Sequence, residues 1–398
     1  KIDKIDHKTV FPLELNTMPG WAGSSWYFYR YMDAQNSNSF VGKEAMEYWK
    51  DVDLYLGGSE HATGHLLYSR FWQKFLFDLK LLPVEEYANK LINQGMILGT
   101  SAFIYRTPKS NSYISKDLLD TVDGFEAIRV DVNLVNSSDE LDIDSLRKWQ
   151  KQFEFADFKK HAGVFKVGRE VEKMSKSKYN VVNPDEICHR YGADTLRMYE
   201  MFLGPLEQAK PWNTAGISGV YNFLKKYWRL FYKENTWIVN DKEPSKKELK
   251  VLHETIKKVT IDIENFSFNT CVSSFMICVN ELTNLNCHSR EILTQLTLLL
   301  SPFAPHLAEE IWEKLGNDTT LAYAPFPLVD ESHLIEKIKN YPISFNGKMR
   351  FIISLSLDLD EESIKKAVLG DDRTNEYLKG KIPKKWIIIP NKIINIVC

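Results

Sequence analysis

The spacing of apolar residues between positions 215 and 315 is typical of amphipathic helices. Apolar side chains recur there at intervals of three and four residues, which places them on one face of a helix. On this basis we predict helices over residues 220–232, 247–266, 269–285, 290–300 and 306–315. Several amphipathic helices in succession favour a helix bundle.

Two short apolar segments in the first hundred residues predict strands. The first, 52–56, has the character of a buried strand and ends at Gly57-Gly58, and a helix is predicted from Glu60 to about Leu79. The second, 91–99, is predicted to be a strand ending in a loop. A strand, a Gly turn and a helix start form the usual place for a nucleotide in an α/β sheet.

Residues 100–170 and the C-terminal tail have patterns that predict strands. Residues 100–170 are polar with short alternating pieces such as 128–134, which predicts a small β-rich insertion. In the tail, Asn346-Gly347 is a strong two-residue hairpin signal. A helix over 358–369 and strands over 386–392 and 393–397 are predicted to complete a small α+β unit.

These elements predict an α/β region, then an all-α helix bundle, then a small α+β domain. Gly204-Pro205 is a plausible boundary before the bundle, and the charged stretch 330–339 is predicted to be a linker. The predicted units are 1–99 for the α/β region, 100–170 for the insertion, 171–205 for a return to the α/β region, 206–328 for the bundle and 341–398 for the last domain.

Composition narrows the classes of protein that fit. A chain of 398 residues accommodates two or three domains, and a formal net charge of −2 gives no overall nucleic-acid signal, so RNA binding would need local basic patches. Five cysteines without a CxxC pair indicate neither zinc nor a disulfide framework, and we predict no metal site.

No membrane-length apolar run or signal peptide is visible, so we expect a cytoplasmic protein. The start at Lys1 in polar material predicts a fragment.

The stretch Lys-Met-Ser-Lys-Ser at 173–177 is the strongest candidate for a catalytic site in the sequence. Two ammonium groups and two hydroxyls within five residues suit a mobile clamp on a polyphosphate, because the lysines neutralise phosphate oxygens. A solvated turn is the alternative for the pentamer taken alone. The next residues favour the clamp: Asn183 can cap a helix, Pro184 suits its first position and Glu186 fits a capping box. This helix is predicted to run through 191–197.

Two earlier stretches are candidate ligand sites. Small residues at 22–25 among aromatic neighbours could let a ligand approach the backbone in an apolar pocket, although an aromatic core segment is the alternative. His61 and His65 lie four apart and are predicted to share a helix face. A zinc interpretation fails because His-Glu-x-x-His needs Glu where Ala62 stands. A purely structural role is as plausible for His65.

A basic segment of the first bundle helix is a candidate for phosphate contacts. Residues 223–230 alternate basic and aromatic side chains, so Lys225, Lys226 and Arg229 could pair with phosphates while the aromatic rings pack inward. An ordinary amphipathic helix is the alternative.

These motifs together resemble a known family. The pentamer at 173–177, followed by Asn180 and by Tyr-Gly-Ala-Asp-Thr-Leu-Arg at 191–197, resembles the second signature of class I aminoacyl-tRNA synthetases. With Gly-Gly-x-Glu-His at 57–61 and Asn-Gly-Lys-x-Arg at 346–350, the chain is similar to bacterial leucyl-tRNA synthetases from about residue 11 onwards. One departure is Tyr179, where the family usually has Gly. Another is that the His-x-Gly-His motif and the large editing domain are missing.

The resemblance implies the second half of a class I Rossmann-like catalytic domain carrying a leucine-specific insertion. A helical tRNA-binding bundle of the anticodon-binding type and a small C-terminal domain follow it. The implied enzyme is a leucine–tRNA ligase, which uses ATP and Mg²⁺ to make leucyl-adenylate and transfers leucine to tRNA(Leu). Because its first half is missing, we expect the N-terminal half of the same enzyme as a partner. We also expect the chain alone not to make leucyl-adenylate at a useful rate.

The resemblance also implies roles for individual residues. Those implied in catalysis are Lys173, Ser175, Lys176 and Ser177. Those implied in ATP binding are Gly57, Gly58, Glu60, Met96, Ile97, Met174 and Lys176, with core packing as the alternative for Met96 and Ile97. Those implied in leucine binding are Trp21, Ser24, Tyr27, His61 and His65. Those implied in tRNA binding are Lys225, Lys226, Arg229, Lys348 and Arg350.

Three alternatives remain open from the sequence. A related synthetase for valine, isoleucine or methionine shares the Lys-Ser loop, and amino-acid dependence would separate it from a leucyl enzyme. A non-catalytic tRNA-binding module predicts tight tRNA binding without ATP binding. A structural scaffold with decayed sites predicts neither.

Overall fold

Two parallel strands and three helices form the first described region. The computed structural model describes residues 21–334, 338–357, 359–390 and 392–398, without the side chains of Glu60 and Ile338. The elements of this region are α1 (Tyr27–Met32), α2 (Lys43–Trp49), β1 (Val52–Gly58), α3 (His65–Asp78) and β2 (Ala88–Gln94). Tyr29, Tyr55 and Leu76 lie in their common core. The strand predicted at 52–56 is confirmed, and it continues through Gly57 and Gly58 because both pair with β2.

The single helix predicted from Glu60 to Leu79 is wrong. A 3-10 turn, Ser59–His61, is followed by a break, and α3 begins only at His65. The break lies at Gly64, whose φ of −122° and ψ of −102° are not helical. A Cβ at Gly64 would lie 3.1 Å from the Trp21 ring, so the chain turns where that ring packs. His61 and His65 therefore do not share a helix face.

A mixed sheet occupies the predicted β-rich region. Its elements are β3 (Ile97–Arg106), β4 (Ser112–Ile114), β5 (Glu126–Val130), α4 (Ile143–Trp149), β6 (Asp157–Lys159), β7 (Gly168–Lys173) and β8 (Lys210–Pro211). The strand order is β5-β3-β4-β6, and β7 and β8 also pair with β3. The single strand predicted over 91–99 is two strands, β2 and β3, because the chain turns at Gly95. A Cβ there would lie 2.1 Å from the Gln208 backbone.

The helix predicted after the Lys-Met-Ser-Lys-Ser stretch is divided in two. The two parts are α5 (Pro184–Tyr191) and α6 (Ala193–Phe202), separated by Gly192 at a φ of +88°. The Asn183 cap is confirmed, since its side chain accepts a hydrogen bond from the Asp185 N–H at 3.0 Å. That bond makes a short Asx turn, and in the described chain Glu186 does not complete the expected capping box.

Five helices form the predicted bundle, and all five predictions are confirmed to within a few residues. They are α7 (Ile217–Trp228), α8 (Lys246–Glu264), α9 (Phe268–Asn284), α10 (Arg290–Leu300) and α11 (Pro305–Lys314). A short hairpin, β9 (Tyr232–Lys233) and β10 (Thr236–Trp237), follows α7. Met198 and Tyr199 of α6 lie in the same apolar core as Phe275 and Leu296, so α6 packs with the bundle.

The tail is a four-stranded sheet with two helices. Its elements are β11 (Ile338–Phe345), β12 (Lys348–Ser356), α12 (Glu361–Leu369), α13 (Asp372–Leu378), β13 (Lys385–Ile389) and β14 (Ile393–Val397). The strand order is β12-β11-β14-β13. The predicted hairpin is confirmed, with φ of +50° at Asn346 and +82° at Gly347. The predicted helix begins at Glu361 rather than 358, because the Asp360 side chain caps it.

Several expectations fall on residues outside the described ranges. These are the part of the aromatic segment before Trp21, the middle of the linker at 335–337, Asp358 and Asn391. Of the helices in the described ranges, none has the length and hydropathy to cross a membrane. Short 3-10 turns lie at Gly23–Ser25, Ser59–His61, Lys116–Thr121, Val132–Leu134, Lys151–Phe153, Lys176–Lys178, Leu321–Tyr323 and Glu331–His333.

Candidate functional site

The ends of two parallel strands bring the predicted nucleotide residues side by side. Gly58, the last residue of β1, pairs with Gln94, the last residue of β2. Met96 and Ile97 follow within three residues of Gln94. Apart from its chain neighbours, no atom of the described residues lies within 4 Å of the position that a Cβ at Gly57 would occupy. This edge therefore leaves room for a ligand to approach the backbone.

Aromatic and imidazole rings surround the start of α3. The Tyr55 hydroxyl and Nε2 of His65 are hydrogen-bonded at 2.5 Å, and the Tyr27 ring lies 6.0 Å from the His65 ring. Burial, and then the neighbouring His61, lowers the pKa of His65. A neutral His65 bonded to a buried tyrosine matches the structural alternative, because its ring already has a partner.

The other predicted pocket residues lie around the same helix start. The His61 and His65 rings are 6.5 Å apart and perpendicular. Trp21 stacks on Tyr68 at 6.1 Å and covers Gly64. Ser24 differs, because its hydroxyl donates to the Trp21 carbonyl oxygen at 3.2 Å within its own segment. The structure thus brings together four of the five predicted residues as side chains around one surface.

The signature loop, defined here as residues 173–177, is anchored by one buried amide. It begins at Lys173, the last residue of β7, which pairs with Leu98 of β3. The Asn180 side chain is 1% exposed. Its Oδ1 accepts from the Ser175 N–H at 2.9 Å, and its Nδ2 donates to the Ser101 hydroxyl at 2.9 Å. Asn180 therefore connects the loop to β3.

A charged cluster supports the same anchor. Glu172 accepts hydrogen bonds from the Lys178 ammonium, from the Ser101 hydroxyl at 2.5 Å and from Nε of Arg129 at 3.2 Å. The bond from Lys178, followed by those from Ser101 and Arg129, lowers the pKa of Glu172 to about 2. Lys178 is therefore held by the protein itself.

The two lysines of the signature loop are placed differently from Lys178. Lys173 and Lys176 are exposed. Neither forms an ion pair with a residue in the described part of the chain. The Ser175 and Ser177 hydroxyls lie 3.0 Å apart. Two unpaired ammonium groups on an anchored loop can neutralise a polyanion that approaches the strand edge.

The predicted RNA contacts form two separate basic groups. At the end of α7, Lys225 lies over the Tyr221 ring at 4.1 Å, Lys226 donates to Oδ1 of Asn280 at 2.6 Å, and Arg229 is exposed. In the tail, Lys348 and Arg350 are exposed on β12, and Arg350 lies over the Tyr377 ring at 5.2 Å. Of these five residues, Lys226 is the one whose charged group donates a hydrogen bond to another described side chain, whereas Lys225 and Arg350 contact aromatic rings.

Sequence reasoning did not identify the residues that hold the loop. The sequence indicates Asn180 only as part of the motif, and no local pattern indicates Ser101 or Glu172. The sequence does contain one indication for Asn180. It is a polar residue between the signature loop and the predicted start of a helix at Asn183, where a side chain can bond to nearby backbone. Ser101 lies 79 residues away from Asn180, and no local pattern indicates that pairing. Among the described residues, no group of three or more His, Cys, Asp or Glu side chains could hold a metal ion.

Family models match two parts of the chain. Residues 162–212 match the model for class I tRNA synthetases (I, L, M and V), which includes the signature loop. Residues 246–366 match the anticodon-binding domain of tRNA ligase.

Curated relatives match over the whole chain. It is 62% identical over 396 residues to a leucine–tRNA ligase of Christiangramia forsetii, which covers 100% of this chain and 41% of the relative. It is 53% identical over 396 residues to that of Bacteroides thetaiotaomicron, covering 99% of this chain and 42% of the relative. The chain thus spans about two fifths of the length of these relatives.

A solved structure has the same fold. The LeuRS of Agrobacterium radiobacter, crystallised in a ternary complex with tRNA and LeuAMS, is 26% identical. It superposes with a TM-score of 0.59 over 94% of this chain and 42% of that chain. The predicted fold class is confirmed: part of a class I synthetase α/β domain, a helical bundle and a small α+β domain.

Proposed function

This chain is a relative of the leucine–tRNA ligases over its whole length, and we propose that it acts as part of a leucine–tRNA ligase. The observation that carries the proposal is the pair of exposed lysines on the signature loop, neither of which has an ion pair with a described residue. That loop follows β7, which pairs with β3 beside the ends of β1 and β2. This arrangement suits the binding of ATP as its Mg²⁺ complex. We expect the protein to work in the cytoplasm.

The proposed reaction has two steps. The leucine carboxylate attacks the α-phosphate of ATP, forming leucyl-adenylate and releasing pyrophosphate. A hydroxyl of the terminal adenosine of tRNA(Leu) then takes the leucyl group and AMP leaves. Neither step needs a protein nucleophile, so positioning and charge stabilisation supply the catalysis.

The signature loop would act on the phosphates. Lys173 and Lys176 would neutralise charge that builds on the β- and γ-phosphates as pyrophosphate leaves, and the hydroxyls of Ser175 and Ser177 would donate hydrogen bonds. Met174 lies near Gly99 and would pack beside the nucleotide. Lys178 is excluded from this role because Glu172 holds its ammonium group.

The strand edge would bind the nucleoside. Gly57 and Gly58 would let the ribose approach the backbone, and Met96 and Ile97 would pack beside the adenine. The sequence position of Glu60, two residues after Gly58, supports hydrogen bonds to the ribose hydroxyls.

The ring cluster at the start of α3 would hold leucine. Trp21, Tyr27 and His61 would supply a wall of rings around the leucine side chain, and Ser24 lies between Trp21 and Tyr27 in the sequence. His65 would support the wall through its bond with Tyr55 rather than contact the substrate directly.

The bundle and the tail would bind tRNA(Leu). Lys225, Arg229, Lys348 and Arg350 have exposed side chains that could contact phosphates. Lys226 would contribute less because its ammonium donates to Asn280.

A tRNA-binding module without catalysis is the second candidate. The anticodon-binding match over 246–366 supports it, since that match alone covers most of the bundle and enters the tail. It predicts that the chain binds tRNA whether or not ATP and leucine are present.

A chimeric enzyme separates these functions. In it, residues 1–398 replace the matching stretch of the Christiangramia forsetii relative, and the chain by itself is tested in parallel. Leucylation of tRNA(Leu) by the chimera, within about tenfold of the parent enzyme, supports the ligase proposal. A folded chimera that binds tRNA(Leu) but does not charge it would favour the second candidate. We expect the chain by itself to bind tRNA without forming leucyl-adenylate.

A further inference from the structure

The residue that ends the turn of the signature loop has an unusual backbone conformation. Tyr179 caps the 3-10 turn Lys176–Lys178 with φ of +54° and ψ of +31°. This left-handed region favours glycine, and a bulky side chain there is disfavoured unless its surroundings hold it. The sequence has tyrosine at this position, and contacts of its side chain can offset the cost of this conformation.

The Tyr179 side chain packs against the β-rich insertion. Its ring lies edge-on to Trp149 with the centroids 4.8 Å apart and the planes at 87°. Trp149 is the last residue of α4, and it stacks on Phe153, which is fully buried in the insertion core. An edge-to-face aromatic pair is a favourable geometry. The ring of Tyr179 is therefore supported by a residue that packs against the buried core of the insertion.

The Tyr179 backbone contacts the insertion as well. Its carbonyl oxygen accepts a hydrogen bond from the Val132 N–H at 3.0 Å. Its own N–H donates to the Lys176 carbonyl oxygen at 3.3 Å, which closes the turn of the loop. The residue thus joins the insertion on one side to Lys176 on the other.

We propose that Tyr179 and Trp149 form a latch by which the insertion sets the position of Lys176. Tyr179 is a positioning residue, since it acts through the loop rather than on the substrate. With the latch closed, the turn holds Lys176 next to the strand edge. Without it, the loop keeps its Asn180 anchor at Ser175 and the Lys178–Glu172 bond, but it loses the side-chain contact that joins its turn to the insertion. This role in catalysis rests on the proposed function, whereas the latch itself does not.

Hydrogen–deuterium exchange of the chain itself tests the latch without reference to activity. Tyr179→Ala removes the ring, and Trp149→Ala removes its partner thirty residues earlier. Both should raise exchange at Lys178 and Tyr179 by at least fivefold, while Tyr179→Phe should stay within twofold of the unmodified chain. Phe155→Ala is the matched control, because Phe155 is an aromatic residue of the same insertion with 86% exposure.

A further variant separates the ring from the backbone. Tyr179→Gly relieves the left-handed conformation but also removes the ring, so it should raise loop exchange as Tyr179→Ala does. If Trp149→Ala disturbs the insertion core, the Tyr179 variants alone decide. Loop exchange within twofold of the unmodified chain in Tyr179→Ala would overturn the latch.

The chimeric enzyme then tests the consequence for catalysis. In Tyr179→Ala, KM for ATP should rise at least fivefold and kcat should fall, while KM for leucine stays within twofold. Tyr179→Phe should restore both values. Equal changes in KM for ATP and leucine would contradict a positioning role at the phosphates. An inactive chimera with the original Tyr179 would count against the proposed function and leave the exchange result to decide the latch.

Discussion

Asp194 and His306 are bonded to each other although 112 residues separate them in the chain. Oδ1 of Asp194 accepts from Nδ1 of His306 at 2.7 Å and from its backbone N–H at 3.3 Å, and Oδ2 accepts from the Leu307 N–H at 2.7 Å. Asp194 lies in the first turn of α6, and His306 in that of α11. A side chain from α6, the second helix after the signature loop, thus caps a helix of the bundle.

We predict that Asp194→Ala destabilises the protein by about 1–3 kcal/mol, because it leaves two backbone N–H groups of α11 without their acceptor. Chemical denaturation of the chain measures this free energy of unfolding. His306→Ala is the matched control. Its side chain is 73% exposed and the backbone cap remains, so this change should cost less than about 1 kcal/mol. Equal losses in the two variants would contradict the cap.

Two lysines only two residues apart should behave differently when removed. Lys176→Ala should lower kcat of the chimeric enzyme by roughly 10²–10³-fold, because a charge that stabilises the transition state is lost. It should leave the hydrogen exchange of the loop unchanged, since Lys176 has no ion pair with a described residue. Lys178→Ala should speed exchange across residues 172–178, because it removes the bond that joins Glu172 to the end of the turn and leaves Glu172 with Ser101 and Arg129. The reverse pattern would show that these two roles are misassigned.

The Glu172 cluster should keep its contribution to stability throughout the neutral range. The pKa of this carboxyl is lowered from 4.5 to about 2, first by Lys178. A lowered carboxyl pKa means that its stabilisation is complete above the unfolded pKa near 4.5 and is lost as pH falls towards 2. The unfolding free energies of the unmodified chain and Glu172→Gln should therefore differ by a constant amount between pH 5 and 8. Below pH 4.5 this difference should shrink, and a change between pH 6 and 8 would contradict the assignment.

Gly99 should be intolerant of any side chain. A Cβ there would lie 2.6 Å from the Asn180 carbonyl oxygen and 2.9 Å from Cγ of Met174. Gly99→Ala is therefore expected to displace the loop and raise exchange at the Ser175 amide at least fivefold. Gly23→Ala is the control, because no atom of the described residues beyond its chain neighbours lies within 4 Å of its Cβ position. Unchanged exchange at Ser175 in Gly99→Ala would show that Asn180 and the loop can shift to accommodate the methyl group without losing their hydrogen bond, which would contradict this prediction.

The parts of the fold that the sequence predicted depend on local patterns. The bundle helices follow from apolar residues on one face, and the prediction over 290–300 coincides with α10. Asn346 and Gly347 both have positive φ, which is the property that makes this dipeptide a hairpin signal.

The parts that the sequence did not predict depend on distant contacts. Gly64 and Gly95 interrupt the predicted elements because Trp21 and Gln208 pack against them. The site follows the same rule. Lys176 and Ser175 were identified from a local motif, whereas Ser101, Glu172 and the Trp149 contact depend on how β3, β7 and α4 come together.

Amino-acid-dependent ATP–pyrophosphate exchange by the chimeric enzyme tests the central claim most directly. It would be measured with leucine, isoleucine, valine and methionine, with the Lys176→Ala variant alongside. Our account predicts exchange with leucine at a kcat/KM at least a hundredfold above the other three, and its loss in Lys176→Ala. Exchange that prefers another amino acid, or that is unchanged in Lys176→Ala, would contradict it.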